Sequence, residues 1–206
     1  MPNWKIHLEV GKRLNQSLHF NKEDYALFLL GNILPDINNG FIVRDIKTII
    51  SHDNTHFDSK ECYEHHILFF KKYRDRIKEP LYLGYYVHLM TDYLFSKDFY
   101  DMVEKIHLNY LGKEKLRTMK QHDFRLFDNN YNDNRIDLND LYNVVNKIDL
   151  EEVNICESDL KKVMDYLYNT PVFEGEYEIY DEDTLKKLLD TVVMDIQDSL
   201  NNMLNV

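Results

Sequence analysis

Turn-forming residues are scarce in this chain, and their scarcity constrains the fold more than any other feature of the sequence. Only six glycines and four prolines occur in 206 residues. Sandwiches, barrels and doubly wound sheets need such residues at short intervals, because their strands are short and end in tight turns. Apolar residues recur here at spacings of three and four, which is typical of amphipathic helices. We therefore predict an all-α fold, a compact multi-helix bundle in which residues 1–206 form a single domain.

The helical pattern divides the chain into a series of predicted helices. They cover residues 3–18, 22–33, 43–50, 59–77, 81–95, 98–110, 113–125, 137–147, 157–169 and 182–204. Asn21 and Ser59 stand at N-cap positions. Pro35 is expected to end the second helix and to force Leu34 out of the helical region. Residues 172–180 alternate weakly and are predicted to form a loop or a short β-ribbon.

The charge balance is acidic. Lysine and arginine number 25 and aspartate and glutamate number 36, so the formal net charge is −11. This balance gives no overall attraction to nucleic-acid phosphates or anionic lipid surfaces, and we expect no stable nucleic-acid binding. The sequence contains no apolar run long enough for a transmembrane segment, and its first residues lack the apolar core of a signal peptide. We expect a cytoplasmic protein whose oligomeric state the sequence does not indicate.

The segment from Gly84 to Phe95 carries the most informative chemistry. His88 and Asp92 are four residues apart, so they lie on the same face of the predicted helix. Burying an imidazole and a carboxylate in such an apolar helix is costly unless their charges are compensated. A shared metal ion and a mutual hydrogen bond both provide that compensation, and this pair alone does not decide between them.

Two further positions extend the pattern and favour the metal. Asp36 follows Pro35 at the predicted exit of the second helix, and His56 lies twenty residues later beside Thr55. Two carboxylates and two imidazoles without a thiolate suit zinc or a similar divalent ion. Asp36 is the candidate general base or water-orienting group, because irregular backbone presents its carboxylate.

The ordered motifs of residues 4–96 resemble those of the zinc-dependent phospholipase C family, whose wider superfamily includes single-strand-specific nucleases. The matching residues are Trp4, His7, Gly31-Asn32, Pro35-Asp36, Thr55-His56-Phe57 and Gly84-Tyr85-Tyr86-Val87-His88-Leu89-Met90-Thr91-Asp92. The resemblance implies an all-helical hydrolase that holds one to three Zn²⁺ ions and cleaves a phosphodiester with metal-activated water. It implies that Asp36, His56, His88 and Asp92 hold one ion. It also implies that His7, with a bridging Asp92, contributes to a second.

The chain departs from the family pattern at two places. Three residues precede Trp4 in this sequence, whereas secreted members of the family use the free amino group of an N-terminal Trp as a ligand. Asp98 occupies the place where the next histidine is expected, and no HxxxE motif follows. The nearest weaker candidates for that metal are Glu104 with His107, and His122 with Asp123.

Two other classes of protein remain open from the sequence. HD-type metal phosphohydrolases use an adjacent His-Asp pair, which His52-Asp53 and His122-Asp123 both supply. A helical binding module that retains one structural metal is the other alternative. For the hydrolase, the expected substrate is a phospholipid headgroup or a small soluble phosphoester. Residues 1–111 contain the metal-site region, and residues 112–206 add helices whose role the resemblance does not explain.

Overall fold

A computed structural model of the chain describes residues 2–58, 64–132, 140 and 144–204. These residues contain no strand, which confirms the all-α class. Their α-helices are α1 Trp4–Leu18, α2 Lys22–Gly31, α3 Leu34–Ile37, α4 His52–Thr55, α5 His65–Lys72, α6 Pro80–Lys105, α7 Lys113–Asp128, α8 Glu157–Asn169 and α9 Glu182–Leu204.

Helix α6 is the central element of the fold. Its 26 residues extend roughly 39 Å at the usual helical rise. Every residue from Leu81 to Asp92 is buried, which fits a segment that is apolar on nearly all sides. Helices α2, α5 and α9 pack against α6, and α9 also contacts α1. Within the described part of the chain, no helix is both long and apolar enough to cross a membrane.

Two glycines bring α2 and α6 into backbone contact. A Cβ atom added to Gly31 would lie 2.2 Å from the carbonyl oxygen of Leu81, and one added to Gly84 would lie 2.1 Å from that of Phe28. Neither distance is sterically possible, so the crossing requires that both side chains be absent. This close approach sets the end of α2 beside the part of α6 that carries His88.

The structure corrects several predicted helix boundaries. Helix α2 ends at Gly31 and not at the predicted Ile33, and Leu34, predicted to leave the helical region, begins α3. Proline is tolerated in the first turn of a helix, since that turn lacks backbone acceptors for its N–H groups. The helices predicted over 81–95 and 98–110 form one helix, α6, as far as Lys105.

The helix predicted over 43–50 is wrong. No residue of that stretch is helical, because the side chain of Asn38 competes for its backbone. The Asn38 amide donates to the carbonyl oxygens of Thr48 and Asn154 at 2.8 and 2.9 Å. Residues 172–180 form a loop. Parts of the helices predicted over 59–77 and 137–147 lie outside the described residues.

Candidate metal centre

Five buried side chains converge from separate elements of the fold. His7 comes from α1, Asp36 from α3, His56 from the end of α4, and His88 and Asp92 from α6. Their exposed fractions are 8% or less. Nε2 of His7, His56 and His88 lies 3.4, 3.4 and 3.3 Å from the carboxylate oxygens of Asp92, and Nε2 of His56 lies 3.5 Å from Oδ1 of Asp36. The structure therefore brings all five predicted residues together.

Hydrogen bonds at Nδ1 of His88 and of His56 determine which nitrogen of each ring carries the proton. Nδ1 of His88 lies 2.7 Å from the carbonyl oxygen of Asn32, which can only accept, so Nδ1 carries a proton. The hydroxyl of Thr55 donates to the carbonyl oxygen of His52 and therefore accepts from Nδ1 of His56 at 3.0 Å. In the neutral rings, Nε2 of each histidine is thus an unprotonated acceptor, and the two Nε2 atoms lie only 3.2 Å apart.

With the two rings in these tautomers, Nε2 of His56, Nε2 of His88 and Oδ2 of Asp92 face one another as acceptors. Within the described residues, both carboxylate oxygens of Asp92 and both ring nitrogens of His7 are buried without a hydrogen-bond partner. Facing lone pairs and carboxylates repel one another unless a proton or a cation lies between them. A nitrogen and oxygen donor set without sulfur is suited to zinc. Outer carbonyl and hydroxyl partners are the supports that metal-binding histidines usually have.

The pKa values of the cluster reflect its opposed charges. Burial lowers the pKa of His7, and a charged His88 lowers it further. Burial also acts to lower the pKa of His88, but the charge of Asp92 outweighs it and the net shift is upward. For Asp92 burial acts to raise the pKa, but His88 and the facing rings of His56 and His7 hold it well below its usual range. The carboxylate is therefore ionised and available as a ligand.

The candidate ligands form two overlapping groups. One contains His7, His88 and Asp92, and the other contains Asp36, His56 and His88. Within each group the ligand atoms lie within 4.8 Å of one another, and His88 belongs to both. The rings of His7 and His88 are stacked with their centroids 4.0 Å apart. Because the two groups share His88, they form one compact centre, and each group could hold a metal ion.

His52 extends the centre toward solvent. Its ring stacks on that of His56 with centroids 3.8 Å apart. Burial, reinforced by the charge of His56, lowers the pKa of His52 to about 4, so the ring is neutral at pH 7. His52 also forms a more exposed acidic group with Asp53 and Asp58.

A cavity of about 850 Å³ adjoins the centre. Asp36 and His52 both line it, so the buried cluster has a route to solvent. Basic side chains also line the cavity, and all but the first of them come from α7: Arg44, Lys113, Arg117, Lys120 and Arg125. Sequence reasoning missed this basic cluster, because the net charge of the chain conceals a local excess of the other sign.

The weaker candidates lie away from the cluster. His107 is exposed just beyond the end of α6, roughly 20 Å along that helix from Asp92. Nδ1 of His122 lies 3.5 Å from a carboxylate oxygen of Glu178. Asp123 is buried and accepts hydrogen bonds of 2.8 to 2.9 Å from three successive backbone N–H groups, those of residues 178–180. Its carboxylate therefore anchors a loop.

Trp4 and Asp98, the two departures from the family pattern, have partners inside the fold. Trp4 begins α1, is buried, and contacts the edge of the Tyr166 ring with centroids 5.5 Å apart. Asp98 accepts a hydrogen bond of 2.9 Å from the hydroxyl of Tyr180. Both contacts tie the centre's helices to the second half of the chain.

Comparisons with protein-family models, with curated proteins and with solved structures find no match for this chain. The similarity of its motifs to zinc-dependent phospholipase C therefore stays a prediction from sequence, and the functional argument depends on the geometry of the centre.

Proposed function

We propose that this protein is a zinc-dependent phosphoester hydrolase resembling zinc-dependent phospholipase C. The supporting observation is the pair of acceptor nitrogens, Nε2 of His56 and Nε2 of His88, which lie 3.2 Å apart beside the carboxylate of Asp92. A bound divalent cation removes the repulsion within this arrangement. Zinc fits its nitrogen and oxygen donors best. His7, Asp36, His56, His88 and Asp92 are the proposed ligands.

In the proposed reaction, the bound ion and the protein side chains have different roles. A bound divalent ion supplies Lewis acidity, which activates water near neutral pH and offsets the charge that builds on phosphoryl oxygens. Asp36 is the proposed general base, because it is the carboxylate of the cluster that also lines the cavity. The amide of Asn39 donates to Oδ1 of Asp36 at 2.9 Å and so orients that carboxylate. His52, neutral at pH 7, lines the same cavity, and its one ring N–H would donate a hydrogen bond to a phosphoryl oxygen of the substrate.

Two observations favour hydrolysis over the alternatives. A purely structural metal site is normally closed, whereas Asp36 and His52 connect this centre to a large cavity. The HD-type alternative requires an adjacent His-Asp pair as ligands. The carboxylate of Asp123 already accepts three backbone hydrogen bonds, and Asp53 is exposed outside the cluster.

Hydrolysis of bis(p-nitrophenyl) phosphate, a generic aryl phosphodiester, tests the proposal. Untagged protein should lose activity when zinc is removed with a chelator and regain it when zinc is returned. Asp92→Asn keeps the shape of the side chain but removes its charge, so activity should fall by at least about 100-fold, as expected for a lost metal ligand. Asp53→Asn serves as the matched control and should retain activity.

The assay separates the competing classes of function. Activity that survives complete zinc removal, or that is unchanged in Asp92→Asn, would contradict the proposed hydrolase. Loss of activity in Asp53→Asn with retention in Asp92→Asn would favour the HD-type alternative. Circular dichroism of both variants establishes that the helical fold is intact in each comparison.

A further inference from the structure

A cluster of basic side chains lines the cavity beside the candidate metal centre. Arg44 lies in the segment after α3, and the other four residues come from α7: Lys113, Arg117, Lys120 and Arg125. Among the described residues, the acidic side chains that line the same cavity are those of Asp36 and Asp53. In a chain with a net charge of −11, such a local excess of cations needs its own explanation.

The cavity cations differ from many other basic residues of the fold, because they form no ion pair with an acidic side chain in the part of the chain that the structure describes. Elsewhere, Arg13 pairs with Asp190, Lys72 with Glu152 and Lys162 with Asp45, as an acidic surface favours. No carboxylate of the described residues forms an ion pair with any of the five cations that line the cavity. Their charge is therefore available to an anion that enters the cavity.

Lys120 is the most informative member of the cluster, because it is 8% exposed. Its ammonium group lies 4.9 Å from the centroid of the Phe99 ring and 5.6 Å from that of Tyr100, in cation–π contact. Lys113, Arg117 and Lys120 follow the i, i+4, i+7 spacing of one helix face. Helix α7 thus presents a row of cations that continues from the exposed part of the cavity to a buried position.

We propose that the substrate is a small soluble phosphoester with a second phosphate group, which the α7 cations bind while the scissile phosphoryl group lies at the metal centre. This inference rests on the proposed hydrolase function. The carboxylates of Asp36 and Asp92 neutralise one divalent ion, so a single phosphodiester at the centre leaves one negative charge to be balanced. Five further cations are in excess for such a substrate, and they match a group that carries one to two more charges.

The size and charge of the cavity favour a soluble substrate over a lipid surface. Its volume of about 850 Å³ lies within the range of about 300–1,000 Å³ that encloses small molecules. The cations line a concave cavity, and the acidic remainder of the protein is repelled by an anionic bilayer. A small bisphosphate reaches the cavity without that repulsion.

Binding to metal-free protein tests this inference independently of catalysis. Zinc is removed by a chelator and dialysis, and isothermal titration calorimetry compares propane-1,3-diol bisphosphate with propyl phosphate. We expect the bisphosphate to bind at least about tenfold more tightly, the difference that one charge-assisted contact contributes. Arg117→Gln, at an exposed position, should remove most of that preference, and Lys120→Met should do the same at the buried position.

Lys115→Gln is the matched control, because Lys115 is exposed on the same helix but does not line the cavity. It makes the same change in charge and should leave the preference intact. Equal affinity for the two probes, or equal losses in Arg117→Gln and Lys115→Gln, would overturn the inference. Tight binding only to phosphatidylcholine vesicles that contain phosphatidic acid would overturn the soluble substrate.

A zinc titration of the same protein separates the two proposals. If the protein binds zinc but shows no preference for the bisphosphate, the proposed second phosphate site is wrong and the proposed hydrolase function is unaffected. If the protein prefers the bisphosphate but binds no zinc, the proposed hydrolase function is wrong and the second phosphate site is supported.

Discussion

Nδ1 of His88 donates a hydrogen bond of 2.7 Å to the main-chain carbonyl oxygen of Asn32. The bond connects the middle of α6 to the residue that follows α2, and it leaves Nε2 of His88 as an acceptor in the candidate metal centre. It forms because Gly31, next to Asn32, meets Gly84 of α6 with no side chain between the helices. The chemistry of the centre therefore depends on the spacing of two helices.

Gly84→Ala should be strongly destabilising. The new methyl group would overlap the carbonyl oxygen of Phe28, 2.1 Å away, and backbone atoms cannot move as a side chain can. We expect the free energy of unfolding in urea to fall by about 3 kcal/mol or more. We also expect weaker zinc binding, because α2 and α6 must separate.

Gly11→Ala is the control for this prediction. A methyl group on Gly11 meets only side-chain atoms of Leu29, Asn32 and Phe28, at 3.0 to 3.4 Å. Side-chain atoms can shift by rotation about their own bonds, which backbone atoms cannot do, so the loss of stability should be clearly smaller than in Gly84→Ala. Equal losses in the two variants would contradict the backbone contact between α2 and α6.

Thr55→Val should weaken zinc binding while the fold is retained. Valine has the shape of threonine but lacks the hydroxyl that accepts from Nδ1 of His56. Without that bond the ring is free to turn or to change tautomer, and affinity should fall by about 10- to 100-fold. Thr118→Val, at an exposed position of α7, makes the same chemical change and should leave zinc affinity unaltered in calorimetric titration.

Asp123→Asn should cost stability and leave zinc binding unchanged. Three backbone N–H groups donate to the two carboxylate oxygens, and an amide nitrogen in place of one oxygen would face a donor. The expected loss in free energy of unfolding is about 2–4 kcal/mol, since the acceptor is charged and buried. A loss of bound zinc in this variant, measured by elemental analysis, would instead favour the HD-type arrangement.

Asp128 should make stability depend on pH. Burial raises its pKa to about 7, far above the ordinary value for an aspartate, although the charge of Lys5 opposes the shift. Because the folded state holds the proton more tightly than the unfolded state, stability is greatest below about pH 4 and falls as pH rises toward about 7. The slope from this one group should reach up to about 1.4 kcal/mol per pH unit.

Urea unfolding between pH 4 and pH 8, without added metal, measures this dependence. Asp128→Asn cannot ionise, so its stability should change less over this range and exceed that of the unaltered protein at pH 8. Asp75→Asn removes an exposed carboxylate and should reproduce the original slope. An unchanged slope in Asp128→Asn would show that this carboxylate does not hold its proton near neutral pH.

Local patterns were sufficient to predict part of the centre. The four-residue spacing of His88 and Asp92 fixes their common helix face, and the apolar residues around them require burial. Their meeting with His7, Asp36 and His56 was predicted from the family resemblance, since no local rule brings five distant segments together. The supporting bonds of His56 and His88 depend on Thr55 at the end of α4 and on Asn32 just after α2, and spacing does not reveal either bond.

Tertiary contacts explain what the sequence did not indicate. The predicted helix over 43–50 fails because the side-chain amide of Asn38, ten residues before Thr48, binds the carbonyl oxygen of Thr48. The same amide binds the carbonyl oxygen of the distant Asn154. The row of cations on α7 is visible as a spacing, but any exposed helix shows similar charges. Its significance comes from the cavity that α7 shares with Asp36 and His52.

Anomalous scattering at the zinc edge, from a crystal grown with zinc, locates any ion that the protein holds. We expect at least one strong anomalous peak among Nε2 of His56, Nε2 of His88 and the carboxylate of Asp92. A second peak near His7 would correspond to the overlapping group of ligands. No peak among these atoms, or one only beside His107 or His122, would contradict the proposed centre.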